Sequence, residues 1–125
     1  MSNGSFVFNE LITDDLEAAK RFYGELLGWT FTEAKTVTGE MYINAFKDKK
    51  PVAGMMLKEG NVADDVPLCW DPYIGVDDIN ISMEKVKELG GTVIVPITEI
   101  PMAGYFCVIK DTSGVSLNLF SSFKY

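Results

Sequence analysis

No histidine occurs anywhere in the 125 residues. That absence excludes a histidine-ligated metal centre, a histidine general base, and a nucleophile activated by imidazole. Cysteine is scarce as well. Cys69 and Cys107 stand 38 residues apart without metal-type spacing, and are expected to be free and buried rather than bonded. A nucleophilic role for Cys107 has no histidine to support it. Positive charge is short: 11 basic against 18 acidic side chains give a formal net charge of −7. The basic footprint of a nucleic-acid-binding protein is therefore missing. The acidic surplus reads first as solubility and second as compatibility with cationic ligands. No apolar run approaches the roughly 18 residues that a membrane span requires. Met1-Ser2-Asn3-Gly4 has no basic n-region and leads into a strand pattern, so no signal peptide is expected and the expected compartment is the cytoplasm.

What is present fits one globular core. The chain is 47% hydrophobic and 23% charged, and its length suits a single domain over residues 1–125. It also contains its own repeat. A shift of 63 aligns Thr13–Gly28 with Val76–Gly91, and five of the sixteen pairs are identical: Asp14/Asp77, Asp15/Asp78, Glu25/Glu88, Leu26/Leu89 and Gly28/Gly91. Leu16 meets Ile79. A shared strand-turn-helix design accounts for part of this match, since Asp caps helices and Gly ends them.

Both halves carry the same order of elements. Phe6–Ile12 alternates as a strand does. Asp14 and Glu17 resemble a capping box, and Leu16, Ala19, Tyr23, Leu26 and Leu27 recur at helical spacing up to Gly28. Strand patterns follow over Trp29–Ala34, Met41–Lys47 and Val52–Leu57, separated by Thr38-Gly39 and Asp48-Lys49-Lys50-Pro51. In the second half, Cys69–Val76 reads as a strand. Ile79, Met83, Val86 and Leu89 mark one helix face, ended by Gly90-Gly91. Thr92–Thr98, Tyr105–Lys110 and Val115–Phe120 then read as strands. Ile100-Pro101-Met102-Ala103 reads as a loop overhanging a cleft or as a plain hairpin connection.

These patterns predict an α+β fold of two βαβββ modules, about residues 5–57 and 68–121, joined by the polar, acidic stretch Lys58–Pro67. Twisting strands would give a cupped eight-stranded mixed sheet with outer helices and a cleft suited to small molecules. A ferredoxin-like βαββαβ domain has too few strands to absorb Met41–Leu57 and Thr92–Phe120.

The run from Glu10 to Trp29, ELITDDLEAAKRFYGELLGW, resembles the opening strand and helix of the vicinal-oxygen-chelate superfamily. That group comprises glyoxalase I, extradiol dioxygenases, methylmalonyl epimerase, and the fosfomycin and bleomycin resistance proteins. Tyr73-Ile74-Gly75-Val76-Asp77-Asp78-Ile79 resembles the start of its second module, and Asp111-Thr112-Ser113-Gly114-Val115 its closing hairpin turn. The resemblance covers almost the whole chain. It speaks for the fold, since one fold hosts many reactions.

In the superfamily's metal enzymes, the first and last strands of each module supply His and Glu ligands. The resemblance places those ligands at Phe8, Met56 (or its neighbour Met55), Asp71 and Asn118. Phe8 cannot ligate, Met56 is a soft thioether, and Asp71 and Asn118 offer oxygen only, which poorly suits Zn, Ni or Fe(II). The expectation is a degenerate, metal-free cleft without a cofactor. An all-oxygen Mg or Ca site using Glu10 is the alternative.

The ligand-cleft candidates are Phe8, Glu10, Met56, Asp71, Tyr73, Asn118 and Phe120. Glu10, beside Phe8 and Ile12, and Asp71 are the candidate general bases. The plain structural reading has Glu10 paired with a lysine, an arginine or a tyrosine hydroxyl, and Asn118 bonded to nearby backbone. Tyr73 shares a face with Asp71 and could build an aromatic wall with Phe8, Trp70 or Phe120. Strand alternation puts Trp70 and Asp71 on opposite faces. The expected function is small-molecule binding by a homodimer, with no nucleic acid and no membrane as partner. A lyase, isomerase or dioxygenase, and an accessory domain without a ligand, are the alternatives.

Overall fold

A computed structural model describes residues 3–36 and 38–123. Met1 and Ser2, part of the stretch read for a signal peptide, lie outside the described residues. The elements are β1 (Ser5–Thr13), α1 (Leu16–Leu27), β2 (Thr30–Lys35), β3 (Met41–Lys47) and β4 (Lys50–Leu57). They are followed by β5 (Cys69–Gly75), α2 (Ile79–Glu88), β6 (Thr92–Ile100), β7 (Gly104–Lys110) and β8 (Ser116–Ser122). The order is βαβββ twice, the α+β class that alternation and helical spacing predict. No helix among the described residues is long and apolar enough to cross a membrane. The described residues form two compact units, one within residues 8–71 and one within residues 3–7 and 72–123.

Within the first unit the strand order is β2-β3-β4-β1, with β1 parallel to β4 and the other pairs antiparallel. Helix α1 begins because Asp15, in extended conformation, accepts the Ala18 N–H at 3.0 Å. The cap is thus Asp15 and not Asp14, because the chain enters the helix one residue later than the Asp14–Glu17 pattern implies. Gly28, at φ 74°, closes it. Leu16, Ala19 and Tyr23 pack on Leu11, Ile43 and Met55. Leu26 and Leu27, expected on that stripe, are exposed, so the buried stripe stops at Tyr23. Ile43 and Met55 are fully buried, and truncating either to Ala would cost about 2–5 kcal/mol.

The β3–β4 turn is tighter than its polar sequence suggests. Asp48 (φ 51°) and Lys49 (φ 66°) form a two-residue turn of the hairpin type, and Lys50 and Pro51 already belong to β4. A bulge absorbs the extra residue: Ala45 pairs with Ala53 but Phe46 with Pro51.

Within the second unit the order is β5-β8-β7-β6, again with one parallel pair, β5 and β8. Asp78 caps α2 by accepting from Asn80 and Ile81 N–H, so the 63-residue shift aligns the two caps. The helix ends differ. Leu89 caps α2 in right-handed conformation and is exposed, and Gly90 takes the left-handed position at φ 89°. The Gly28/Gly91 identity is therefore not a structural equivalence. Ile79, Met83 and Val86 pack on Ile74, Cys107, Ile109 and Leu119. Ile100 to Gly104 is a plain hairpin connection, with the Ala103 N–H donating to the Ile100 carbonyl at 3.0 Å.

Candidate functional site

The helix claims one face of each unit's strands. Alternation assigns the other face. In the first unit, Leu11, Ile43 and Met55 lie under α1. The neighbouring registers, Glu10↔Gly54, Ile12↔Met56, Asn44↔Gly54 and Tyr42↔Met56, therefore belong to the face without a helix. Phe8, two residues before Glu10 and half-buried, shares it.

The most organised feature of this face spans three adjacent strands. Glu10 on β1 is buried, at 7% exposure. Tyr42 on β3 reaches over β4 and its hydroxyl donates to Glu10 Oε2 at 2.7 Å. The path is open because position 54 has no side chain. A Cβ there would overlap the Tyr42 hydroxyl and come within 2.8 Å of Cε2. Gly54 needs no left-handed conformation, so close approach alone demands glycine. A short hydrogen bond to a carboxylate offsets part of the cost of burying it.

The other candidates are placed as follows. Met56 is half-buried beside Tyr42 in register, whereas Met55 is sealed under α1, so Met56 is the fourth-strand residue on the Glu10 face. Asp71, half-buried on β5, ends the first unit and alternates with Trp70. In the second unit, Tyr73 pairs with Asn118, and Phe120 with Gly75 and Phe106, on the face opposite α2. Tyr73 packs edge-on against Phe106 with ring centroids 6.4 Å apart. Asn118 is buried at 3% exposure and its Nδ2 donates to the Pro72 carbonyl at 3.2 Å.

Trp70 belongs elsewhere. Its Nε1 donates to the Tyr23 hydroxyl at 3.2 Å, and Tyr23 stacks on Trp29 with centroids 5.5 Å apart. Beside this cluster runs a groove of about 490 Å³ lined in part by Leu11, Phe22, Tyr23, Leu68 and Trp70. Both cysteines are free. Burial pushes the half-buried Cys69 thiol up, and the Asp71 charge adds to this; burial does the same to the fully buried Cys107. Neither thiol is poised as a nucleophile at neutral pH.

Sequence reasoning named Glu10 but missed Tyr42 and Gly54. A signal was available. Alternation within Met41–Lys47 sets Tyr42 and Asn44 on one face, and a glycine inside a neighbouring strand marks a close approach.

The chain belongs to the Glyoxalase/Bleomycin resistance protein/Dioxygenase superfamily, whose family model matches residues 5–119. It is 32% identical over 114 residues to CFP32 of Mycobacterium bovis, whose name designates it provisionally a glyoxylase; the match covers 90% of this chain and 44% of that protein. It is 26% identical over 124 residues to the anthracycline biosynthesis protein DnrV of Streptomyces peucetius, covering 90% of this chain and 45% of the other. The chain thus spans less than half the length of these relatives. The fold is similar to that of the hypothetical protein BH1468 from Bacillus halodurans C-125, with a TM-score of 0.77, 12% identity, and coverage of 99% and 98% of the two chains.

The family implies a metal site at the positions of Phe8, Met56, Asp71 and Asn118, and these residues do not fit one. A phenyl ring has no donor atom and a thioether is a poor partner for hard divalent ions. The Asn118 amide nitrogen is turned to the Pro72 carbonyl, and Glu10 is bound by Tyr42. Among the described residues no three His, Cys, Asp or Glu side chains gather as a metal ion would require.

Proposed function

We propose that this chain binds a small organic molecule on the helix-free face that carries Glu10 and Tyr42, and that it does so without a metal ion. One observation carries the reading: a buried carboxylate, fixed by a tyrosine hydroxyl through a gap left by Gly54, on a face flanked by Phe8 and Met56. A few fixed polar groups in an apolar setting are the usual make-up of a small-molecule site. The names of CFP32 and DnrV, a glyoxylase and an anthracycline biosynthesis protein, support small organic ligands as the class.

The same observation favours a second, enzymic version. Glu10, oriented by Tyr42, is a candidate base for metal-free proton transfer from a bound ligand. Both versions take the chain to act as a homodimer in the cytoplasm, and a monomeric mass at micromolar concentration would count against that state.

Thermal-shift measurements with a panel of small aromatic and polyketide-like compounds, run beside Zn, Ni, Mn and Mg salts and a chelator, test the reading. Binding raises the melting temperature in proportion to ligand concentration over Kd. The expected result is stabilisation by at least one organic compound, undiminished by the chelator. Stabilisation by a metal salt alone would overturn it.

A further inference from the structure

We propose a second binding site, the groove beside α1 in the first unit, and assign it to small organic cations with an aromatic or apolar body. It is separate from the Glu10 face and does not depend on it. The apolar walls come from Leu11 on β1, Ala18, Phe22 and Tyr23 on α1, and Leu68 and Trp70 around the start of β5. All of them lie within the unit of residues 8–71. The groove holds about 490 Å³, within the roughly 300–1,000 Å³ usual for a small-molecule site.

The walls are apolar yet open to solvent. Phe22, Leu68 and Trp70 are 59%, 51% and 38% exposed. Large apolar side chains gathered along one groove mark a binding surface. Ring contacts hold the aromatic wall in place. Tyr23 meets Phe22 edge-on at 5.1 Å and Trp70 edge-on at 5.5 Å, and its other neighbour is Trp29. A wall fixed beforehand loses little freedom when a ligand settles on it.

Charge selects the occupant. Asp14 and Asp15 line one end of the groove, and no lysine or arginine lines any part of it. Among the described residues neither aspartate pairs with a basic side chain. The N-terminus of α1 opposes them with about half a positive charge, less than two carboxylates supply. Aromatic rings also attract cations through their faces. The one donor of the Trp70 indole, Nε1, is taken by the Tyr23 hydroxyl, so this side chain has no hydrogen to offer an anion. A second copy of the chain would bring the same acidic surplus, formally −7, and is disfavoured as the occupant.

Calorimetric titration with benzyltrimethylammonium, benzyl alcohol and phenylacetate tests the site. At low ionic strength the cation is expected to bind about fivefold or more tighter than the alcohol or the anion. Asp14→Asn and Trp70→Leu are each expected to weaken the cation about threefold or more. Phe22 is exposed, so Phe22→Ala removes one wall outside the core; it is expected to weaken the cation similarly while still folding, as a melt checks. Phenylacetate binding as tightly as the cation would overturn the proposal. So would absence of cation binding at millimolar concentration, or cation binding that Asp14→Asn and Phe22→Ala leave unmoved. A dimeric mass that Phe22→Ala converts to a monomeric one would overturn it too, because a second copy would then fill the groove. None of these variants lies on the Glu10 face, so the compound panel judges the binding reading separately.

Discussion

Gly54 and Tyr42 share one volume: the space a Cβ would take at position 54 is filled by the Tyr42 hydroxyl on its way to Glu10. The relationship joins three strands, since Glu10 pairs with Gly54 on one side and Asn44, two residues from Tyr42, pairs with it on the other. Gly54→Ala therefore has to evict the tyrosine. It is expected to destabilise the protein by about 2–4 kcal/mol, from overpacking and the lost hydrogen bond. In a Tyr42→Ala background the same change should cost less than about 1 kcal/mol, because the hydroxyl and ring atoms nearest to the new Cβ are gone. Urea melts of the four proteins of this cycle check it; equal costs in both backgrounds would contradict the shared volume.

The helix caps give a second prediction. Asp15→Ala removes the acceptor for the Ala18 N–H and should cost about 1 kcal/mol. Asp14→Ala should change stability by less than about 0.5 kcal/mol. Asp78→Ala should behave like Asp15→Ala, since Asp78 accepts from Asn80 and Ile81 N–H. Thermal melts of the three variants rank them.

Acid pH tests the β7–β8 turn. Backbone N–H groups of Val115 and then Ser113 hold the Asp111 carboxyl below its ordinary range. A depressed folded-state value contributes stability that is present above the unfolded value, about 3.9 for Asp, and lost as pH falls through the folded value. The stability difference between the parent and Asp111→Asn should thus be constant at neutral pH and shrink below about pH 4. A difference that stays flat to low pH would contradict the assignment.

The thiols differ in access and share a raised titration. Cys69 is half-buried and Cys107 fully buried. With Ellman's reagent, one thiol per chain should react in the native protein, slowly at neutral pH and faster as pH rises. The second should appear only on unfolding. Cys69→Ser should abolish the native reaction and Cys107→Ser should not.

Much of this was legible in the sequence, for identifiable reasons. Alternation and helical spacing are local, and they located every strand and both helices with small shifts at the ends. The 63-residue repeat pointed to equivalent helix starts, which Asp15 and Asp78 provide. What local pattern could not give was depth. Leu26, Leu27 and Leu89 continue an apolar stripe but lie beyond the surface the strands offer, so they stay exposed. The site was half legible. An inward Glu10 follows from alternation, and a tyrosine hydroxyl was among its foreseeable partners. Which tyrosine depends on the register of β3, β4 and β1, set by a two-residue turn and a bulge at Ala45/Phe46 that turn composition does not reveal. Trp70 shows the same limit: alternation separated it from Asp71, but its partners Tyr23 and Trp29 come from packing.

We propose above all that the Glu10–Tyr42 face binds a small organic molecule without a metal ion. Elemental analysis of the protein as purified, without chelator or affinity-resin metal, tests that most directly. Only traces of Zn, Ni, Mn and Fe are expected, well below one ion per chain. One firmly retained ion per chain, lost together with ligand binding on chelation, would contradict it.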